Sequence, residues 1–347
     1  MTSRAVARID VGAIERNAAR LPKPLCAVVK AGGYGHGAAF AAQAALAGGA
    51  EWLAVASADE AAELRALGIG ARLLVMGALT RDELRMAVEA DADVVAWTEE
   101  VSEAAPRVHV KLDTGMGRLG TRDRELALRL AARPGTVGLM THFATADERG
   151  DDHFPAQLEA FREFVDEVGR DELVAHAANS AAALRDPGSH FDMVRCGVAL
   201  YGMDPFQANP DEHGLEPALS LHSWVASIRR LDTGESSGYG RVWRAEEPTW
   251  VATAPIGYGD GYRRGLTNEA DVLIRGRRHP VVGAVSMDNV TIALGPDTDV
   301  ELGDEVVLIG RQGDEIILAE EVARRLGTIN YEVTTGLLPR VAREVAG

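Results

Sequence analysis

What this sequence lacks narrows its role first. Only two cysteines occur in 347 residues, Cys26 inside an apolar run and Cys196 beside Arg195. That is too few for a disulfide framework or a thiolate metal site, so both read as buried structural residues and no metal is expected. No apolar run approaches the roughly 20 residues of a membrane span. Met1-Thr2-Ser3-Arg4 leads straight into a periodic segment with no apolar signal core, so a cytoplasmic location is expected. Basic residues are in deficit, 36 Lys+Arg against 52 Asp+Glu for a net charge of -16. This excess of acid argues against nucleic acid and anionic membrane as partners, and any bound anion must be held by local donors. Internal repeats, low-complexity tracts and flexible linkers are also missing.

What is present is a rhythm. Short apolar runs at 25–29, 52–56, 73–76, 94–97, 108–112, 137–140, 173–177 and 193–194 alternate with helical stretches such as 58–67, 81–88, 122–132 and 156–168. Eight strand candidates alternating with helices over about 220 residues predict an α/β fold, an N-terminal (β/α)8 TIM-like barrel. A doubly wound open sheet is the alternative, and strand count does not separate the two. From about Trp224 the texture becomes short alternating runs broken by Gly, Pro and Asp, with 318–326 alone reading as helix. This predicts a C-terminal all-β domain, with domains 1–222 and 223–347. Residues 5–9 alternate ahead of the first helix and could pair with the C-terminal domain.

In a parallel barrel the loops after the strands gather at one mouth, where polar strand-end residues meet. Lys30 ends the first strand and precedes a glycine run, with a helix expected near His36. An amine at the mouth of an apolar strand is desolvated and its neutral form favoured, so it can attack a carbonyl. A strand-end lysine alone is more often structural. Lys111 and Arg118 follow the fifth strand, His142 the sixth, Asn179 and Ser180 the seventh, and Arg195 the eighth. Asn179-Ser180 at a helix start offers N–H groups and a hydroxyl suited to phosphate, although an ordinary N-cap looks the same.

The strings VVKAGGYGHG (28–37), KLDTGMGRLG (111–120), THFATADE (141–148), HAANSAA (176–182), VRCGVALYG (194–202), APIGYGDGYRRG (254–265) and GAVSMDN (283–289) together resemble the alanine racemases over nearly the whole chain. The resemblance implies pyridoxal 5'-phosphate (PLP) carried by Lys30, with Tyr34 among the cofactor contacts. It makes Arg118 the donor to the cofactor phenolic oxygen and to the substrate carboxylate, and Lys111 a carbamylated lysine. His142 becomes the bridge between the catalytic tyrosine and the ring-nitrogen arginine, Arg195, while Asn179, Ser180, Gly197 and Val198 hold the phosphate. Tyr258 is the second acid/base and the Met287 N–H a substrate carboxylate donor, both reaching the other subunit's site in a homodimer with shared sites. An arginine at the pyridine nitrogen does not give up its proton, so the ring is a weaker electron sink, which suits racemisation over transamination.

Three departures from the family pattern stand out. Gly32-Gly33 replaces Asn-Ala or Asp-Ala and is expected to loosen the loop. Ala284 stands where the family often has Arg in the substrate entry, and Val345 about where it often has a phosphate-binding Tyr. The implied activity is interconversion of L- and D-alanine by two bases, supplying D-alanine for peptidoglycan. A broader small amino-acid (serine) racemase and a non-catalytic PLP-binding protein are the alternatives. A basic amino-acid decarboxylase fits poorly, because neither cysteine lies in the second domain.

Overall fold

The computed structural model describes residues 3–346. It divides into two compact units, residues 12–216 and residues 3–11 with 217–346. A boundary at residue 222 would cut the strand Leu219–Trp224. The break falls ahead of that strand, whose residues Leu219 and Leu221 are buried in the β unit before the change of texture at Trp224 becomes visible.

The first unit carries eight parallel strands: Leu25–Val28, Trp52–Val55, Arg72–Val75, Ala92–Ala96, Val108–Lys111, Thr136–Met140, Val174–His176 and Val194–Cys196. They neighbour one another in chain order, and the last returns beside the first with Leu25 opposite Val194. A doubly wound sheet would reverse its order at a switch point, and this one does not. The remaining seam is bridged by Asp192 N–H to Ala175 O at 3.0 Å and Arg195 N–H to Ala178 O at 2.9 Å, so the barrel is nearly closed. Strand residues are buried on both faces, as the unbroken apolar runs require. Helix starts are set by side chains: Ser57 and Thr80 form capping boxes with Glu60 and Glu83, and Asp123 and Asn179 accept from Leu126 and Ala182 N–H.

The stretch after the first strand is not a loose loop. The helix proper begins at Ala38. Between it and the strand, Ala31, Gly32, Gly33 and Tyr34 take φ of 54, 62, 63 and 52°, one left-handed helical turn. Gly33 N–H bonds Val29 O at 2.8 Å and Gly35 N–H bonds Ala31 O at 3.0 Å, closing it. Left-handed geometry costs an ordinary residue roughly 1–2 kcal/mol, and glycine at two of the four positions removes that cost there. Gly33 is also packed, since a Cβ on it would stand 2.9 Å from Ala41 Cβ.

The second unit is built on a ten-stranded mixed sheet. Val6–Ile9 lies inside it, antiparallel to Leu219–Trp224 and parallel to Ala342–Val345. Besides the helix Ala319–Leu326 it holds a second, Asn330–Thr335. That helix and the edge strand Ala342–Val345 are too short for a periodic pattern to reveal. Val345 pairs with Ile9 in that edge strand. Among the described residues no helix is long and apolar enough to cross a membrane, and no group of His, Cys, Asp and Glu could hold a metal ion.

Candidate active site

The barrel's strand ends bring Lys30, Lys111, Arg118, His142 and Arg195 into one electrostatic neighbourhood. Burial lowers the Lys30 pKa, and Arg118 and Arg195 lower it further, which favours the neutral, nucleophilic amine. Lys111 is 3% exposed, and its pKa falls to about 8 through burial first and then Arg195 and Arg118. Among the described residues its Nζ makes no hydrogen bond, while its carbonyl accepts from Thr121 N–H.

Arg118 is exposed at the tip of a loop that its own backbone builds. Asp113 accepts from Gly115 N–H at 3.1 Å and Gly117 N–H at 3.0 Å, and from Arg122 Nε at 3.0 Å. Thr121 N–H returns to Lys111 O at 3.0 Å and Asp113 N–H to Thr121 O at 2.9 Å, closing the loop at its base. Gln157, 1% exposed, ties this loop to the next strand end. It donates to Thr114 Oγ1 and to His142 O at 3.2 Å each, and accepts from Ala144 N–H at 2.8 Å.

Arg195 is 3% exposed and held on several sides. Nη1 donates to His176 Nδ1 at 2.8 Å. Nη2 donates to Thr141 O at 2.9 Å and Ala177 O at 3.0 Å, and lies 3.2 Å from His142 Nδ1. Burial lowers its pKa to about 10, so it is a cation at neutral pH. A guanidinium cannot accept, so His142 Nδ1 must be bare and its proton sits on Nε2. The His142 pKa is pushed well down by burial, then by Arg195, Lys111, Arg118 and Lys30, which keeps this ring neutral.

Beside Arg195, Asn179 caps the helix Ser180–Arg185 by accepting from Ala182 N–H at 3.0 Å. Ser180 Oγ accepts from Gly197 N–H at 3.0 Å and Ala199 N–H at 3.3 Å. The Gly197 N–H, assigned to a phosphate by resemblance, is therefore engaged within the protein here. The Val198 N–H makes no hydrogen bond among the described residues. Tyr34 comes against Gly197 so closely that a Cβ there would stand 2.2 Å from Tyr34 Oη. Its ring stacks on Tyr201 at 5.0 Å, and Tyr201 Oη donates to Val28 O at 3.1 Å. Burial raises the Tyr34 pKa, so this phenol stays protonated.

Tyr258 and Met287 belong to the other unit, on two interlocked loops. Tyr258 N–H bonds Ser286 O at 3.0 Å and Gly259 N–H bonds Met287 O at 2.8 Å. A Cβ on Gly257 would meet Ser286 O at 2.2 Å, so only glycine allows this approach. Fully buried Asp260 accepts from Gly257 N–H at 2.9 Å, Arg4 Nη2 at 3.2 Å and Arg340 Nε at 3.0 Å. Arg340 also reaches Asp288 at 2.8 Å. Tyr258 and Met287 are 40% and 51% exposed within this frame. The Met287 N–H donates to no acceptor among the described residues.

Tyr201, Gln157, Arg4 and Arg340 escaped the sequence reading, as did Asp93 and His109. Their contacts span large sequence separations and carry no local signal. His109 left one trace, a polar residue inside the apolar strand VHVK.

A parallel barrel with a desolvated lysine at its mouth, beside a buried guanidinium, is the arrangement of an enzyme whose chemistry gathers at its strand ends. Residues 9–205 match the model of the alanine racemase N-terminal domain, and residues 218–345 that of the C-terminal domain. The chain is 41% identical to the alanine racemase of Symbiobacterium thermophilum over 98% of this chain and 97% of that protein. It is 40% identical to alanine racemase 1 of Bacillus subtilis over 97% and 92%. The crystal structure of the alanine racemase of Bacillus anthracis with bound L-Ala-P superposes with a TM-score of 0.91 at 39% identity, covering 100% of this chain and 96% of that one. The chain belongs to the alanine racemase family.

Proposed function

We propose that this protein interconverts L- and D-alanine by a two-base mechanism with PLP carried on Lys30. The observation that carries the reading is the convergence at one barrel mouth of a lysine inclined to its neutral form and a buried arginine whose donors are fixed. The donor set fits the cofactor: Lys30 for its aldehyde, Arg195 for its ring nitrogen, Arg118 for its phenolic oxygen. Tyr34, Asn179, Ser180 and the Val198 N–H lie together for its phosphate, with the Gly197 N–H engaged by Ser180 Oγ. When bound, PLP acidifies the Cα–H of an amino acid attached to it.

The protein's part is to move that proton between two faces. Lys30 takes or returns it for the D-isomer, and Tyr258 for the L-isomer. Tyrosine is a weak base at its ordinary pKa of about 10, so its phenolate needs a donor. Neutral His142, bare at Nδ1 toward Arg195, has Nε2–H to offer it. Arg118 and the Met287 N–H receive the substrate carboxylate. Lys111, pulled to about 8 among cations, supplies the free amine that carbamylation requires, and a carbamate would turn it into an anion able to pair with Arg118.

Each site is completed by a second copy in a head-to-tail homodimer, where the partner's Tyr258 and the partner's Met287 meet Lys30. D-alanine for peptidoglycan is the product this chemistry supplies, in the cytoplasm. The test is racemisation of L-alanine by the purified dimer with and without added PLP; no turnover with PLP bound would exclude the reading. Co-refolding inactive Lys30→Ala with inactive Tyr258→Ala tests the shared site. Random pairing makes about half the dimers mixed, each with one good site, so roughly a quarter of wild-type activity returns.

A further inference from the structure

Arg195 is one end of a chain of buried polar groups that runs through the barrel away from the mouth. His176 Nδ1 accepts from Arg195 Nη1 at 2.8 Å. His176 Nε2 lies 2.7 Å from His109 Nδ1. His109 Nε2 lies 3.2 Å from Asp93 Oδ2. Asp93, His109 and His176 are all fully buried. Asp93 and His109 sit near the starts of their strands, Ala92–Ala96 and Val108–Lys111, whereas His176 ends its own. The chain thus climbs from the barrel's far end to its mouth.

The proton positions in this chain follow from elementary bonding. Arg195 has no lone pair to offer, so His176 Nδ1 must be bare and its hydrogen sits on Nε2. That hydrogen points at His109 Nδ1, which must then accept. The His109 hydrogen is left on Nε2, facing the one group able to receive it, the Asp93 carboxylate. Every bond runs the same way, from a cation through two neutral rings to an anion. Burial lowers the pKa of both rings, in keeping with neutrality. Asp93 is anchored from outside by Arg72 Nη2 at 2.8 Å and Arg107 Nε at 2.5 Å. The His109 ring has its own niche: edge-on to Trp52 at 5.5 Å, and over Gly138, where a Cβ would stand 2.2 Å from its Nδ1.

We propose that Asp93 and His109 are positioning residues, which through His176 set the orientation of Arg195 by a one-way hydrogen-bond relay. This rests on the reading of Arg195 as the cofactor's ring-nitrogen partner. A carboxylate at the far end forces the polarity of both rings; without it His109 could carry its hydrogen on Nδ1 and oppose His176. A guanidinium so released has only carbonyl acceptors and His142 to aim it.

The experiment combines 15N spectra of histidine-labelled, PLP-loaded enzyme with two variants. In the wild type, two histidines, assigned by loss of signal in His109→Asn and His176→Gln, should show the neutral Nε2–H form throughout pH 6 to 8.5. An Nδ1–H signal from either ring, or titration of either in that range, overturns the relay. His109→Leu removes the acceptor for His176 and should lower kcat by about 10- to 100-fold, the scale of a misplaced group, with KM changed less than threefold. His109→Asn keeps an acceptor near the Nδ1 position and should recover kcat to within about fivefold of wild type. Equal loss in both variants overturns the positioning role, and the wild-type spectra decide if His109→Leu does not fold. Wild-type enzyme that shows these ring forms but does not racemise alanine overturns the proposed function while supporting the relay, so the two failures are distinct.

Discussion

Gly138 offers a quantitative test of how tightly the barrel interior is built. It lies opposite His109 in the neighbouring parallel strand, and an alanine methyl there would fall 2.2 Å from His109 Nδ1 and 2.6 Å from Cε1. No rotamer choice on alanine relieves this, so the imidazole must move. Overpacking a core costs typically 1–3 kcal/mol. Moving His109 also breaks its bonds to Asp93 and His176, leaving buried groups unsatisfied at about 1–3 kcal/mol each. A total of about 3–9 kcal/mol follows for Gly138→Ala. For a unit of about 200 residues, each kcal/mol shifts Tm by about 3 °C, so a fall of at least roughly 10 °C is expected by circular dichroism or calorimetry. His109→Ala alone opens a cavity beside Gly138, and the double variant fills part of it with the new methyl. The double variant should therefore be about 1–3 kcal/mol more stable than the sum of the single effects predicts. Additive losses, or a Gly138→Ala protein as stable as wild type, would refute the claim that Gly138 makes room for His109.

Lys30→Ala should abolish fixation of PLP by borohydride; label recovered on another lysine would contradict the assignment of Lys30. Tyr258→Phe should slow exchange of the L-alanine Cα proton in deuterated solvent far more than that of D-alanine, and equal losses would exclude two bases on opposite faces. Lys111 gives a pH signature in the cofactor-free protein. Its folded pKa of about 8 lies below the unfolded value, so the penalty for burying its charge is full below pH 8 and is relieved as pH rises toward 10.5. Stability measured by urea unfolding should rise more steeply between pH 8 and 9.5 in wild type than in Lys111→Gln, and parallel profiles would show that Lys111 is not depressed. Gly32→Ala should cost about 1–2 kcal/mol, because the position is left-handed but faces open space, and Gly33→Ala more, because its methyl also meets Ala41. Equal costs would remove the packing role given to Gly33.

Much of this molecule is local enough to be legible in sequence. The eight buried runs are strands in the order written, because a strand covered on both faces needs an unbroken apolar string and a parallel barrel joins neighbours in chain order. Strand-end position grouped Lys30, Lys111, His142 and Arg195 at one mouth, since every such residue of a parallel barrel emerges there, but their roles came only from the resemblance. What the string could not carry depends on distance in space. The handedness of the turn at 31–34 was hidden because glycine permits either sign of φ, and packing against the helix Ala38–Ala47 decides between them. The boundary near 217 rests on pairings over 200 residues long, although the alternation of residues 5–9 had already suggested that this segment could join the second unit's sheet. The Asp93–His109–His176–Arg195 chain spans four strands, so each member looks like an isolated buried polar residue until the barrel closes and one group's lone pair meets another's hydrogen. Amino-acid type determined which chemistry was on offer, and barrel closure decided which groups share a hydrogen bond, because bond direction depends on atoms that only the fold brings within hydrogen-bonding distance.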